Sequence, residues 1–493
     1  MSELLEHRIA NSRFLASNAQ TFYGPGRIAG IAPAAGGTIA RLVVFTFLAA
    51  ILLSPPIQLS RHFPYFRLEQ LLLLLVGYGY LLGVLMRAVS PQRFSYLYVW
   101  GVLFSVLQIV SLLYGASVLQ HQVVRSDYYE VLKVWLVVAL FIVGYEARLG
   151  EPALRRFFAA LGFCTFAVCL FGVAQYLGWS GAETLNPYFA TAEHNIRGLT
   201  QSGRVYSTFG NANVLGQFLS AAAVCFMLAF LARVGRRLWT GPLGLFVMFC
   251  LILTGSRYAL VVLVLGLLLL MLGAVTDPRQ LLKVASAIIL ISIFVWILLG
   301  TTRGPFIHSE RYQELRNPLE ESSLRTRIDI MWREGWDEFR ISPIVGHGPV
   351  KHIFTGTGID SEYLDILRRY GLLGFTAYIS IFLWILLKLK RGLRFTRGLK
   401  LSLDSPLRAS SVMVQAGFIL VVMDLLMNVG MSTYTNFQFG SFFWLFMGVA
   451  VRSAEFVGDV SGSIMAFPAA RTCNAPSTHA PLYPSSGTLI SRN

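Results

Sequence analysis

The chain has 493 residues, of which 55% are apolar and only 13% are charged, and its mean hydropathy is +0.60. This composition excludes a disordered chain and an ordinary soluble domain, and it predicts an integral membrane protein. Because the apolar runs are continuous, they favour helices over a closed barrel, so the predicted fold is all-α and polytopic.

About twelve spans are predicted, since a helix of about 20 apolar residues crosses the hydrocarbon core of a bilayer. They are centred on residues 39–57, 69–86, 95–117, 131–146, 157–178, 211–232, 242–254, 258–275, 281–300, 371–388, 410–430 and 434–452. The seventh and eighth are separated only at "LTGSR", where Gly255 to Arg257 interrupt an apolar run. The membrane domain is therefore 38–452, between a tail at 1–37 and a second tail at 453–493. The second tail is rich in Pro, Ser and Thr, and we expect it to be disordered.

Lys and Arg are concentrated in one set of alternate short loops, for example at Arg155 and Arg156 and again at Lys390 and Arg391. Such loops face the cytoplasm, so both termini are predicted to be cytoplasmic. The same loops hold most of the net charge of +16. Topology and anionic lipid explain that charge, and no nucleic-acid partner is expected.

The cysteines predict neither a disulfide nor a metal site, because four lie inside spans and Cys473 lies in the tail. No His, Asp or Glu pair stands at a ligand spacing such as HExxH. These observations disfavour a metal-dependent enzyme.

Two external segments, 179–210 and 301–370, are too long to be simple connectors. In the larger one, "RTRIDIMWREGWDEFRISPIVGHGP" predicts a helix on or near the membrane surface, ended by Pro343 and a glycine turn. Its apolar residues recur at helical spacing and are Ile328, Met331, Trp332, Trp336 and Phe339.

Polar residues collect on the same external side at the mouth of the sixth span, in "GRVYSTFGNANVLGQFL". Arg204, Asn211 and Asn213 are candidates for substrate binding, although both asparagines are equally suited to cap a helix. Arg257 lies between two apolar runs, where an arginine points into a wet cavity, pairs with an anion, or reaches the lipid headgroups from a helix end.

The tenth span is preceded by "DSEYLDILRRYGLLG". Asp360 is predicted to cap this helix, and Asp365 is predicted to form an exposed ion pair with Arg368 or Arg369. Glu362 has no partner of opposite charge at helical spacing. Asp360 and Glu362 are therefore the candidates for catalysis or substrate contact, with capping and solvation as the alternative.

The order "STFGNANVLGQFL", "LTGSR", "SPIVGHGP" and "DSEYLDILRRYGLLG" resembles the O-antigen ligase and Wzy-type polysaccharide polymerase superfamily over about residues 200–390. The resemblance implies a polytopic enzyme with a large periplasmic loop. It also implies an undecaprenyl-diphosphate-linked glycan as the donor, with no nucleotide sugar, cofactor or metal. By position, Arg257 is similar to a diphosphate-binding arginine of the family, and Arg325 or Arg327 to its partner from the loop.

The chemistry of a lipid diphosphate leaving group also requires arginine, because guanidinium groups stabilise its growing negative charge. The attacking sugar hydroxyl must lose a proton to a carboxylate or a histidine. Asp360 and Glu362 rank above His347 and His352, which flank the glycine turn and are expected to be structural or solvent-facing. His347 is kept among the substrate-binding candidates.

Ligases of the family usually have a histidine where this chain has Asp360, so the polymerase branch is favoured. The prediction is a metal-independent glycosyltransferase of the bacterial inner membrane that joins lipid-linked oligosaccharide repeats at the periplasmic face into a surface or exopolysaccharide. A flippase and a chain-length regulator are its expected protein partners. One alternative is a ligase that transfers the glycan to a lipid A core, and another is a flippase or exporter of the same glycans.

Overall fold

The computed structural model describes residues 38–57, 67–85, 96–190, 192–234, 237–274, 325–350, 359–398, 407–431, 434 and 437–472. These ranges are almost entirely helical and form no β-strand. The predicted ninth span, the N-terminal tail and His352 lie outside the described residues.

The helices of the membrane region are α1 (Thr38–Leu53), α2 (Leu68–Leu85), α3 (Tyr96–Ser117), α4 (Arg125–Glu146), α5 (Glu151–Tyr176), α8 (Ala212–Leu231), α9 (Arg237–Leu253), α10 (Arg257–Ala274), α12 (Glu362–Gly398), α13 (Arg408–Gly430) and α14 (Phe437–Thr472). The external segments contain α6 (Ser180–Phe189), α7 (Glu193–Ser202), a 3₁₀ turn (Ser207–Phe209), a π-helix (Thr326–Trp332) and α11 (Arg333–Ile341).

Within the described ranges, seven helices are long and apolar enough to cross a membrane, and four shorter apolar helices accompany them. Each of these helices coincides with a predicted span, so a polytopic helical fold is confirmed, whereas the total of about twelve spans stays a prediction. The interruption at "LTGSR" is also confirmed, because α9 ends at Leu253 and α10 begins at Arg257.

The tenth span is not one continuous helix, because α12 is broken at Gly371, whose φ is 62° and ψ is −166°. The outer segment 362–370 and the inner segment 372–398 therefore leave main-chain groups without helical partners. The loop after α11 supplies those partners. His347 N donates to Arg368 O (3.0 Å), and Gly348 N donates to Arg369 O (2.7 Å).

The pairing runs in both directions, since Leu372 N donates to Pro343 O (2.9 Å) and Leu373 N donates to Ile344 O (3.2 Å). We call these four hydrogen bonds the staple. Only glycine fits at Gly371, where a β-carbon would collide with Ile344 O, and at Gly346, where it would collide with the Arg369 carbonyl. The staple fixes the large external segment to the tenth span.

The stapled loop is held on its other side by α3. Ser111 Oγ donates to Val345 O (2.6 Å), and a β-carbon at Gly348 would lie 2.9 Å from Leu112 Cα. The loop therefore lies between α3 and α12 as a fixed part of the external surface.

The most buried candidate spans are α8 and α14. The boundary predicted for the disordered tail at 453 is corrected, because α14 continues to Thr472. Ala454 and Val457 are buried, and Ala454 packs against Gly392 on the long inner segment of α12. This packing, which the composition of the tail does not reveal, holds the first turns beyond residue 453. Residues 473–493 lie outside the described ranges.

Candidate functional site

Helices α8, α10 and α12 all begin at the external end of the molecule. The starts of α10 and α12 are brought together by two tyrosines that donate hydrogen bonds to neighbouring carbonyls of α13. The Tyr258 hydroxyl donates to Leu426 O, and the Tyr363 hydroxyl donates to Leu425 O. The positive ends of helix dipoles thus gather near one place, which favours an anion.

Arg204 lies at the first edge of this region, directly after the left-handed Gly203 that ends α7. Its Nη2 donates to Asn213 Oδ1 (2.7 Å), and its Nε donates to Thr254 O (3.2 Å). Arg204 therefore joins the start of α8 to the "TGSR" turn.

The two asparagines have different roles in the structure. Asn211 Oδ1 accepts from Asn213 N (2.8 Å) and Val214 N (3.4 Å), so the capping alternative is confirmed for this residue. Asn213 instead holds the Arg204 guanidinium. Thr208, in the same stretch, points away from both and donates to Leu52 O (2.7 Å).

Arg257 is the first residue of α10 and is half-buried. Arg327, from the large loop, forms an ion pair with Asp360, with Nε and Oδ2 2.9 Å apart. Tyr258, which follows Arg257, and Tyr363 of α12 hold adjacent carbonyls of α13, so the start of α10 lies near the start of α12. The "TGSR" turn, the large loop and the start of α12 therefore meet at one site. Arg325 is exposed at the N-terminal end of the π-helix, whereas the contact with Asp360 is made by Arg327.

Asp360 is not the helix cap that the sequence predicts. Helix α12 begins at Glu362, which places Ser361 at the cap position, and Ser361 O accepts the Asp365 N–H (3.0 Å). Asp360 lies one residue further out and turns to Arg327, a partner remote in sequence. The Asp360 side chain stays 44% exposed, so its carboxylate is open to an incoming ligand.

Glu362 has the opposite environment, since its side chain is completely buried. Its Oε2 accepts from Tyr434 N (3.2 Å), which ties the segment before α14 to the start of α12. Of the two carboxylates predicted to be catalytic, only Asp360 faces the external surface in this structure.

The ion pair predicted for Asp365 exists, but it is buried rather than exposed. Asp365 Oδ1 lies 2.8 Å from Arg368 Nη2 and 3.0 Å from Arg369 Nε. Arg368 also contacts Glu338 of α11 (3.2 Å), and Arg369 approaches Glu130 of α4 (3.9 Å). Burial follows because α11 and α4 cover this face of α12, which helical spacing alone does not show.

His347 does not reach the site as a substrate ligand. It is 5% exposed, its Nε2 lies 2.8 Å from Glu338 O, and its Nδ1 lies 3.1 Å from His121 Nε2. Because a carbonyl only accepts, the Glu338 contact requires a proton on Nε2 of His347. His347 therefore anchors the stapled loop, which is the structural role that the sequence analysis expected.

Sequence reasoning missed Tyr258 and Tyr363, which align the two helix starts. Both directly follow a residue that was singled out, Arg257 and Glu362, and this adjacency is the signal that could have found them. Among the residues that the structure describes, no three His, Cys, Asp or Glu side chains converge as metal ligands would. That the reaction needs no metal stays a prediction.

The part of the chain that carries this geometry also matches a known protein family. Residues 242–389 match the family model described as O-antigen ligase, a region that includes the "TGSR" turn, the described part of the large loop and most of α12. The match confirms the resemblance to the O-antigen ligase and Wzy-type superfamily, whose members are glycosyltransferase-like and act on lipid-linked glycans. No curated protein matches the chain significantly.

Proposed function

We propose that this multi-pass membrane protein joins undecaprenyl-diphosphate-linked oligosaccharide repeats into a polysaccharide at the external face of the bacterial inner membrane. The observation that carries the proposal is the Arg327–Asp360 ion pair beside the Arg257–Tyr258 turn. In this proposal Arg327 is a cation for the leaving group, and the exposed carboxylate of Asp360 serves the acceptor.

The donor diphosphate is held by the arginines. Arg257 at the start of α10, Arg327 from the loop and Arg204 beside Asn213 give the site an excess of positive charge over Asp360. Guanidinium groups bind phosphate oxygens in a bidentate manner, and the nearby helix N-termini add favourable partial charges.

The reaction is a direct glycosyl transfer. A hydroxyl oxygen of the acceptor glycan attacks the anomeric carbon of the donor, and the bond from that carbon to the phosphate oxygen breaks. The electron pair leaves with undecaprenyl diphosphate, whose charge the arginines stabilise. Asp360 takes the hydroxyl proton, and Arg327 is free to exchange the Asp360 carboxylate for the diphosphate when the donor arrives.

The matched family model is described as a ligase, so transfer to a lipid A core is the second candidate. The carboxylate of Asp360, in the position where ligases of the superfamily usually carry a histidine, supports the polymerase. Both candidates share the donor chemistry and differ in the acceptor.

The glycans of a deletion strain distinguish the candidates. A single repeat on the normal acceptor supports the polymerase, whereas free polymer that lacks its acceptor supports the ligase. Accumulation of lipid-linked single repeats on the inner rather than the outer face of the membrane would contradict both and indicate a flippase.

A further inference from the structure

A buried polar side chain that the mechanism does not use lies directly behind the arginine turn. Gln217 of α8 is 0% exposed, and in the part of the chain that the structure describes neither atom of its amide has a hydrogen-bond partner. Ser256, of the "TGSR" turn, is 2% exposed, and its hydroxyl is likewise without a partner among the described residues.

Gln217 lies in the second turn of α8, and Ser256 directly precedes α10 and packs against Gly216, the residue before Gln217. Gln217 follows Asn213 by one helical turn on the same flank of the helix. Between them, Gly216 packs on Ser256, because a β-carbon at Gly216 would lie 3.0 Å from Ser256 Cβ and 3.3 Å from its Oγ.

The direction of Gln217 follows from Val224, which is two turns further along the same face of α8. Val224 packs with Met423 of α13 on Gly266 of α10, where a β-carbon would lie 2.8 Å from Val224 Cγ2 and 2.6 Å from Met423 Sδ. Since α8 and α10 run in the same direction, Gln217 is level with the Tyr258 turn. Gln217 therefore faces the seam between α10 and α13.

An amide and a hydroxyl that are buried without partners lose their hydrogen bonds to water and gain none in return. An apolar side chain of similar size would avoid this cost. The arrangement is explained if the missing partners belong to a bound molecule.

The chemistry of the two groups selects the class of molecule. A phosphate oxygen only accepts hydrogen bonds, and the arginines already supply donors for it. A primary amide and a hydroxyl both donate and accept, which matches the hydroxyl or acylamino substituents of a sugar ring. The sugar next to the diphosphate is the one that would lie beside Arg257.

We propose that Gln217 and Ser256 bind a polar substituent of the first sugar of the lipid-linked donor and so determine which sugar is accepted. This inference rests on the proposed function. Gln217 is closed off in this structure, so the substituent reaches it only after the side chains that cover it move.

The test uses Gln217→Met in the purified full-length protein, with the lipid-linked repeat extracted from a deletion strain as the donor. We expect kcat/KM for the donor to fall at least tenfold, because the sugar substituent loses its partner. We expect the melting temperature of the ligand-free protein to stay unchanged or rise, and the increase in Tm on adding donor to shrink.

Ser220→Ala is the matched control, since Ser220 is buried on the same helix and its hydroxyl is satisfied by Gly216 O (2.9 Å) and Ala259 O (2.8 Å). Its kcat/KM should stay within about twofold of the wild type. Unchanged kcat/KM in a folded Gln217→Met, with equal or higher Tm, overturns the inference and indicates a trapped water. A lower ligand-free Tm with normal activity per folded molecule overturns it in favour of a structural role.

Ser256→Ala keeps the test decisive if Gln217→Met does not accumulate. It removes one unpartnered hydroxyl, should fold, and should lower kcat/KM several-fold; no change in kcat/KM overturns the inference. Arg257→Lys in the same assay separates the two levels of the proposal. If Arg257→Lys loses turnover while Gln217→Met keeps wild-type turnover, the sugar pocket alone is overturned. If Arg257→Lys keeps full turnover, the diphosphate site at Arg257 and the sugar pocket beside it are both overturned.

Discussion

The candidate site combines arginines from different parts of the chain with one exposed carboxylate. Arg257 belongs to a membrane helix and Arg327 to the large loop, and Asp360 stands between the loop and the next helix. In the proposed reaction, the leaving group and the attacking hydroxyl meet residues of opposite charge in the same small region.

Arg257→Lys keeps the charge but loses the planar fork that grips a diphosphate. We expect kcat/KM for the donor to fall by about 100-fold or more, which corresponds to about 2.7 kcal/mol of lost transition-state stabilisation, while the protein inserts and accumulates normally. In vitro turnover with the extracted donor measures this. Near wild-type turnover would indicate that Arg257 only reaches lipid headgroups.

Asp360→Asn removes the proposed proton acceptor and keeps the size of the side chain. Turnover should fall by about 10² to 10⁴ while donor binding persists, because the diphosphate is held by the arginines. Glu362→Gln should cost less, since the Glu362 carboxylate is buried and an amide oxygen can also accept from Tyr434 N.

The matched control is Asp337→Asn, because Asp337 is 60% exposed on α11 and lies 3.8 Å from Arg340. Exposed pairs of this kind contribute little, so its activity should be unchanged. Full polymer from Asp360→Asn at normal protein levels would assign the proton to Glu362, a histidine or the substrate.

The residue types of this site could be predicted from sequence, but their partners could not. Arg257 and Asp360 are candidates from their chemistry, and the family resemblance adds Arg325 or Arg327 by position. That Asp360 pairs with Arg327 instead of capping α12, and that Glu362 is buried under Tyr434, depends on contacts between segments far apart in sequence. Local spacing carries no information on such contacts.

Elements of the external surface are joined by the buried charges around Asp365, which link α4, α11 and α12. Each carboxylate there faces an arginine within the low-dielectric interior. Removing one member therefore leaves a buried charge uncompensated.

Asp365→Asn is expected to lower the stability of the protein and to leave kcat nearly unchanged. Breaking a buried pair costs about 3–5 kcal/mol, far above the few tenths of an exposed helical pair. Thermal unfolding in detergent should show a clear drop in Tm, with near-normal kcat for the molecules that remain folded. An unchanged Tm would mean that the network is hydrated in the working protein.

Gly346→Ala tests the staple, because Gly346 has a φ of 79° and a β-carbon there would collide with Arg369. We expect a lower Tm and a strong loss of activity, since the loop that carries Arg327 would separate from α12. Gly77→Ala in α2, where a β-carbon meets nothing within 4 Å, is the control and should be silent. Wild-type activity and Tm in Gly346→Ala would contradict a rigid loop.

The set of membrane helices was the easiest feature to predict, because the hydropathy of each span depends only on its own residues. The bounds of α3, α8 and α10 lie within a few residues of the predicted spans. The break at Gly371 and the extension of α14 to Thr472 were not predicted, since both depend on packing between elements. Composition cannot distinguish a packed polar helix from a free tail.

Topology is tested on intact cells by reporter fusions. The surplus of Lys and Arg in alternate loops predicts that fusions after Lys400 are cytoplasmic and that fusions near Ser342 are periplasmic. The reverse pattern would place the Arg327–Asp360 pair on the side of nucleotide sugars and contradict the proposed reaction.

The broken tenth span also constrains how the protein is assembled during synthesis. Four main-chain groups of α12 are paired with the loop that precedes it in the chain. If α12 entered the bilayer while that loop stayed on the opposite side, these groups would meet hydrocarbon, at a cost of several kcal/mol each. If the loop lies on the external side as proposed, we expect stable integration of this helix to wait for export of the loop.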